Sequence, residues 1–314
     1  MLQPWSCLGR RGGCSSSCSL QFCTVTQIFL QYTRYVAVLK WLTVVLFSYF
    51  AVVFSVHIDW ARFARGFFVP SLRWDKDYIT TLVAVFGTTI SPYLFFWQAS
   101  EEVEDINAFP DRRRLMSAPD QGQGALRRID ADTAVGMGLS NLVALAIMVT
   151  AAATLNAHGV TDVQTSSQAA EALRPIVGRF AFYIFALSIV GTGLLAVPVL
   201  AGSGAYALGE ARKWPVGFSR SWQEAKAFYA TIGISTLIGM VMNFTSLDPI
   251  RALYWSAVVN GIISVPVMVT MMLIASRSDI MGEFAIGRIL KTLGWISTAA
   301  MGTAVIAFAA TSLM

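Results

Sequence analysis

Val83-Ala84-Val85-Phe86-Gly87-Thr88-Thr89-Ile90-Ser91-Pro92-Tyr93-Leu94-Phe95-Phe96-Trp97-Gln98 is apolar at both ends and polar in the middle. Pro92 has no N–H to give and crowds the carbonyl of Thr88. Ser91, as the residue before a proline, is pushed out of the α region. Serine is a good N-cap and proline suits the first helical position. The segment therefore reads as two half-helices, about Tyr78 to Thr88 and Pro92 to about Asp105, joined by a short unwound link. Non-helical backbone at membrane depth is tolerated only where it is buried in protein or lines a cavity. In many transporters such a break offers carbonyls to a cation, and the negative end of the first half-helix favours positive charge. A plain proline kink, with the threonine hydroxyls bonding back to their own helix, is the competing reading. Both stay open on pattern alone.

The surrounding sequence decides the solvent. Of 314 residues, 55% are hydrophobic and 13% charged, against about 25% charged in a soluble domain, and the mean hydropathy is +0.60. About seven stretches are long enough to cross a hydrocarbon core of ~30 Å. They run from about Val36 to His57, Tyr78 to Trp97, Thr133 to Leu155, Phe180 to Leu208, Ala227 to Phe244, Ala252 to Ala275 and Leu293 to Met314. The fold class expected is all-α, a polytopic membrane protein in the lipid bilayer. The net charge of +5 sits in short loops, where it reports topology, and no basic-aromatic patch points to nucleic acid. Lys and Arg concentrate in the N-terminal segment and in the loops after the second, fourth and sixth spans. That side should be cytoplasmic, placing the N-terminus inside and the C-terminus outside.

Residues 1–31 read as a low-complexity, disordered leader rich in Ser, Gly and Cys, and residues 32–314 as the transmembrane domain. All four cysteines (Cys7, Cys14, Cys18, Cys23) lie in the leader, with no histidine near enough in sequence to make a metal site. Glu101 to Asp132 reads as a solvated linker, and Glu101, Glu102, Glu104 and Asp105 as a solvated helix end. The small residues around Gly191 and Gly202 read as helix packing. Asn260-Gly261 and Pro266 read as a second polar interruption, and Asn141 and Asn260 as interhelical hydrogen bonds or ligands. His57 and His158 fall at an outer interface. No Asp or Glu falls inside any of the seven stretches. The carbonyls of Thr88, Thr89 and Ile90 and the hydroxyl of Ser91 are the hard oxygen donors of the break; Thr88, Ser91 and Asn260 are the candidate metal-binding residues, all of them neutral oxygen donors.

Four runs carry a resemblance: Arg34-Tyr35 with Leu39-Lys40-Trp41-Leu42; Gly87 through Gln98; Gly191-Thr192-Gly193-Leu194-Leu195-Ala196-Val197-Pro198-Val199-Leu200-Ala201-Gly202; and Ala252-Leu253-Tyr254-Trp255-Ser256-Ala257-Val258-Val259-Asn260-Gly261. From about Tyr32 onward the chain resembles the natural resistance-associated macrophage protein (NRAMP) family of divalent-metal transporters, most closely its bacterial branch, which includes magnesium-transporting relatives. The resemblance implies a LeuT-like fold of two inverted repeats with sites at broken helices. It makes the spans here helices five to eleven and the broken one the sixth. The family motif Ala-x-x-Met-Pro-His falls on Thr88, Ser91, Pro92 and Tyr93. The methionine thioether is therefore replaced by oxygen, which favours a harder ion such as Mg²⁺ or Mn²⁺, and the histidine of proton coupling is replaced by tyrosine. The first-helix motif Asp-Pro-Gly-Asn is absent, since Asp248-Pro249 continues as Ile250-Arg251. Helices one to four are expected to be missing.

The function implied is secondary transport of a divalent cation as substrate in a bacterial inner membrane, and the chain is expected to be a truncated form, either inactive as it stands or completed by a partner supplying the missing helices. A non-transporting membrane protein or assembly partner is the alternative. An intramembrane enzyme is disfavoured because buried His, Asp and Cys are lacking. No cofactor is expected.

Overall fold

In hydrocarbon a backbone must hydrogen-bond within its own segment, and helices do this residue by residue. The computed structural model describes residues 47–55, 58–69, 73–109, 111–115, 117–155, 159, 166–242, 245 and 248–313, and among them no strand occurs. The described helices are α1 (Phe47–Ser55), α2 (Trp60–Phe68), α3 (Lys76–Thr89), α4 (Pro92–Ala108), α5 (Gly122–Ala153), α6 (Ser166–Arg212), α7 (Lys226–Met242), α8 (Pro249–Ala275), α9 (Ser278–Met281) and α10 (Arg288–Leu313).

Five stretches are long and apolar enough to cross a membrane: Lys76–Ala108, Pro119–Ala153, Ser188–Arg212, Pro249–Ala275 and Arg288–Ser312. α7, with 17 residues, sits at the short limit of the spanning range of about 17–25. The chain is an all-α polytopic integral membrane protein. Of the first expected span only α1 is described. The rest of that span, the leader with its four cysteines, His57 and His158 lie outside the described residues.

Three expectations need correction. Glu101 to Asp132 is not one linker, because α4 continues to Ala108 and α5 begins at Gly122. The short connection is tied by Gln121, whose Oε1 accepts from the Arg113 N–H at 3.1 Å and whose Nε2 donates to the Asp111 carbonyl at 3.0 Å. Asn260-Gly261 and Pro266 do not interrupt their helix: α8 runs unbroken from Pro249 to Ala275. Asn141 bonds within its own helix, donating to the Met137 carbonyl at 2.9 Å.

The chain divides into two units. The first comprises the described parts of residues 1–57, 96–110 and 136–250. Its core joins Ala201, Ala205 and Tyr206 of α6 to Phe218 and to Phe228, Tyr229 and Ile232 of α7, with Trp97 against them. Small residues let these elements approach: a Cβ on Gly202 would fall 2.5 Å from the Trp97 ring. α1 packs on α6, where the Tyr49 and Thr192 hydroxyls lie 3.3 Å apart.

The second unit comprises the described parts of residues 58–95, 111–135 and 251–314. Val83 and Ala84 of α3, Ala257 and Val258 of α8 and Ala304 of α10 form its core. α3 and α8 cross backbone to backbone at two glycines. A Cβ on Gly87 would stand 2.0 Å from the Ala257 carbonyl oxygen and 2.5 Å from the Gly261 nitrogen. A Cβ on Gly261 would stand 2.6 Å from the Val83 carbonyl oxygen and 3.2 Å from Met301 Cε. Side chains cannot yield here, because the obstacles are mainly main-chain atoms. The short α2 places Trp60, Phe63 and Phe67 on one face and Arg65 on the other, the composition of a helix lying in a headgroup layer.

Gly87→Ala and Gly261→Ala should each destabilise the protein by roughly 1–3 kcal/mol through overpacking. Gly66→Ala, where no atom lies within 4 Å, should have little effect. Unfolding titrations with a denaturing detergent would check this, and equal midpoints for all three variants would contradict the crossing.

Candidate functional site

α3 is framed at both ends by local chemistry. Asp75 caps its start, its carboxylate accepting from the Tyr78 N–H at 2.8 Å. At the other end Ile90 (φ −108°, ψ 70°) leaves the helical region while its N–H still reaches the Phe86 carbonyl. Ser91 follows, and Pro92 opens α4. The break therefore lies where the pre-proline restriction and the missing proline donor place it.

The polar side chains at the break turn back toward α3. Thr88 Oγ1 donates to the Val85 carbonyl at 2.7 Å, and Thr89 Oγ1 donates to the same oxygen at 2.9 Å. The Ser91 hydroxyl, 2% exposed, lies 3.0 Å from the Gly87 carbonyl and 3.0 Å from the Thr88 carbonyl, to which it donates. This revises the expectation of a serine N-cap: the hydroxyl serves the C-terminal end of α3 rather than the N–H groups of α4. It supplies a donor where Pro92 cannot. The helix is broken at this point, and its hydroxyls bond back to α3 as the kink reading expected.

Thr88 and Ser91 are brought directly together by that bond. Asn260 comes from α8, and the peptide linking it to Gly261 lies against Gly87. The half-buried Asn260 carboxamide has no hydrogen-bond partner among the described residues. The donor set is oxygen: carbonyls at a helix C-terminus, hydroxyls whose lone pairs remain after they donate, and one carboxamide. Such a set suits hard cations. It carries no formal charge, and among the described residues no three His, Cys, Asp or Glu side chains gather where a metal would sit.

The model of a family described as "Natural resistance-associated macrophage protein-like" matches residues 16–311. The chain belongs to the NRAMP family. The match begins upstream of Tyr32, inside the segment read as a leader. A relative in this family, the divalent metal cation transporter MntH of Yersinia enterocolitica serotype O:8 / biotype 1B (strain NCTC 13174 / 8081), is 25% identical over 239 residues, covering 74% of this chain and 52% of that protein. The chain spans about half the length of the curated relative it matches.

One buried group of this NRAMP chain departs from the expectation of a solvated helix end: Glu104 is 3% exposed. Its Oε1 accepts from the Tyr206 hydroxyl at 3.0 Å and its Oε2 from the Ser219 N–H at 3.0 Å. The run of neighbouring acids masked it, and no spacing in the sequence links it to Tyr206.

Ser91→Ala removes the side-chain donor to the Gly87 and Thr88 carbonyls and should cost about 1–2 kcal/mol of stability, the range for stranding buried acceptors. The same detergent titration reads the effect. A variant as stable as the parent would mean that the hydroxyl is not seated between those carbonyls.

Proposed function

We propose that the chain carries a divalent metal cation across the membrane as substrate, by alternating access at the break between α3 and α4. The observation carrying this reading is an interrupted helix within an apolar span, lined by oxygen donors, in a chain of the NRAMP family. The cation would rest near Thr88, Ser91 and Asn260, drawn by the negative end of α3. Serine at the family's methionine position leaves no soft ligand, so Mg²⁺ or Mn²⁺ is favoured over softer ions. The relative's name, divalent metal cation transporter, supports the substrate class. A LeuT-like arrangement is what the family resemblance implies.

The distribution of Lys and Arg supports a cytoplasmic N-terminus and an external C-terminus, in a bacterial plasma membrane. Helix and charge patterns alike fit transport better than catalysis. One feature favours a second reading, a non-transporting membrane protein or one that needs a partner to complete the site. A divalent ion in a dry site needs compensating negative charge, and Thr88, Ser91 and Asn260 bring none.

Purified chain in proteoliposomes with an internal Mg²⁺- or Mn²⁺-sensitive dye separates the two. Transport predicts uptake above empty vesicles, slowed at least several-fold by Asn260→Ala and by Ser91→Ala, and poorly supported by Cd²⁺. Uptake indistinguishable from empty vesicles would overturn transport by this chain alone. Cd²⁺ carried as well as Mg²⁺ would overturn the preference for hard ions.

A further inference from the structure

α4 is a single rod. It begins at Pro92, beside the candidate ion site, and runs without interruption to Ala108. Glu104 lies near the C-terminal end of the same helix. There the rod is gripped by the connection between α6 and α7. Lys213 (φ 57°) turns the chain out of α6, and the Trp214 N–H returns to the Gly209 carbonyl at 2.8 Å. The strap then crosses Glu104. Gly217 has φ +129°, and a Cβ there would fall 2.2 Å from Glu104 Oε1. Both the conformation and the space therefore demand glycine.

The strap is held at other points as well. Arg220 Nε donates to the Val216 carbonyl at 3.1 Å, and the Tyr229 hydroxyl donates to the Arg220 carbonyl at 2.9 Å. Phe218 fills the space beside Tyr206 and Phe228, with ring centroids 5.8 and 5.2 Å away. An apolar side chain at position 104 would complete this aromatic core at lower desolvation cost than a carboxylate. What the carboxylate adds is direction. Its two oxygens take one donor from α6 and one from the strap, which fixes both the rotation and the height of the rod. Among the described residues no Lys or Arg nitrogen pairs with it, so the grip consists of two hydrogen bonds to neutral donors.

We propose that Glu104 is a positioning residue for transport: it latches α4 to the 213–225 strap, and so sets the rate at which the half-helix bounding the ion site changes position. This rests on the reading of the chain as a transporter. Two hydrogen bonds to neutral donors can open within a cycle, whereas a continuous apolar seam would have to repack.

Three variants of the full chain test the latch. Glu104→Leu keeps a similar volume but removes both acceptors, so the Ser219 N–H and the Tyr206 hydroxyl lose their partner. Tyr206→Phe removes one of the two bonds alone. Glu104→Asp keeps the charge on a shorter stem and should be intermediate. Hydrogen exchange in nanodiscs is read first, since it does not depend on transport. Exchange at the Ser219 amide should accelerate at least tenfold in Glu104→Leu and stay unchanged in Ser91→Ala. Unaltered exchange in Glu104→Leu overturns the latch. Mg²⁺ uptake is read second. Glu104→Leu and Tyr206→Phe should change the maximal rate several-fold while KM moves less than twofold, and Ser91→Ala should raise KM. Normal kinetics in both latch variants, with a transporting parent, overturn the positioning role alone. A parent that does not transport overturns this role together with the reading it rests on.

Discussion

A carbonyl oxygen surrounded by hydrocarbon must find a donor, and Pro92 withholds the one that Thr88 would have had. The local structure follows from that shortage. Ile90 leaves the helical region, Ser91 turns its hydroxyl back to the Gly87 and Thr88 carbonyls, and a new helix starts at the proline. One buried hydroxyl closes the end of α3. In the proposed transport site, the carbonyls that accept from Ser91 would also be the ones offered to a cation, and a bound ion would compete with the Ser91 proton for their lone pairs.

The close crossing of α3 and α8 is the second condition for this arrangement. Glycine at 87 and 261 lets Ala257 and Val83 carbonyls lie against the facing backbone. Contact at that distance brings the Asn260–Gly261 peptide beside the break. Carbonyls packed against Cα groups recur at helix interfaces and add modest attraction. Without the two glycines the helices would stand farther apart, and Asn260 would belong to a different neighbourhood.

The break was legible from the chain alone, because its causes are local: Pro92 acts on Ser91 and Thr88, and nothing distant is required. Membrane insertion was equally legible, since it follows from composition. Asn260 was picked out as polar within an apolar run, yet its place beside Gly87 depends on how closely two helices approach. That approach is set by a glycine 174 positions from its partner, a pairing no periodicity encodes. Glu104 shows the opposite failure. Glu101, Glu102 and Asp105 around it suggested a wet helix end, while its burial is imposed by Tyr206 and by a turn at Gly217. The second supposed interruption, at Pro266, did not occur: α8 carries an exposed proline without leaving the helix.

The length of α3 has an electrical meaning. Its 14 residues rise about 21 Å at 1.5 Å each, in a hydrocarbon layer of ~30 Å. Were Lys76 and Asp77 to sit among the headgroups, Ile90 and Ser91 would fall somewhat past the midplane. In the proposed transport cycle, an ion reaching the break from the Lys76 side would then cross more than half of the membrane voltage. At about 2.3 kcal/mol per elementary charge per 100 mV, a doubly charged cargo would gain or lose roughly 2–3 kcal/mol on that passage. Occupancy of the proposed site would therefore depend on the polarisation of the membrane as well as on the chemistry of its oxygens.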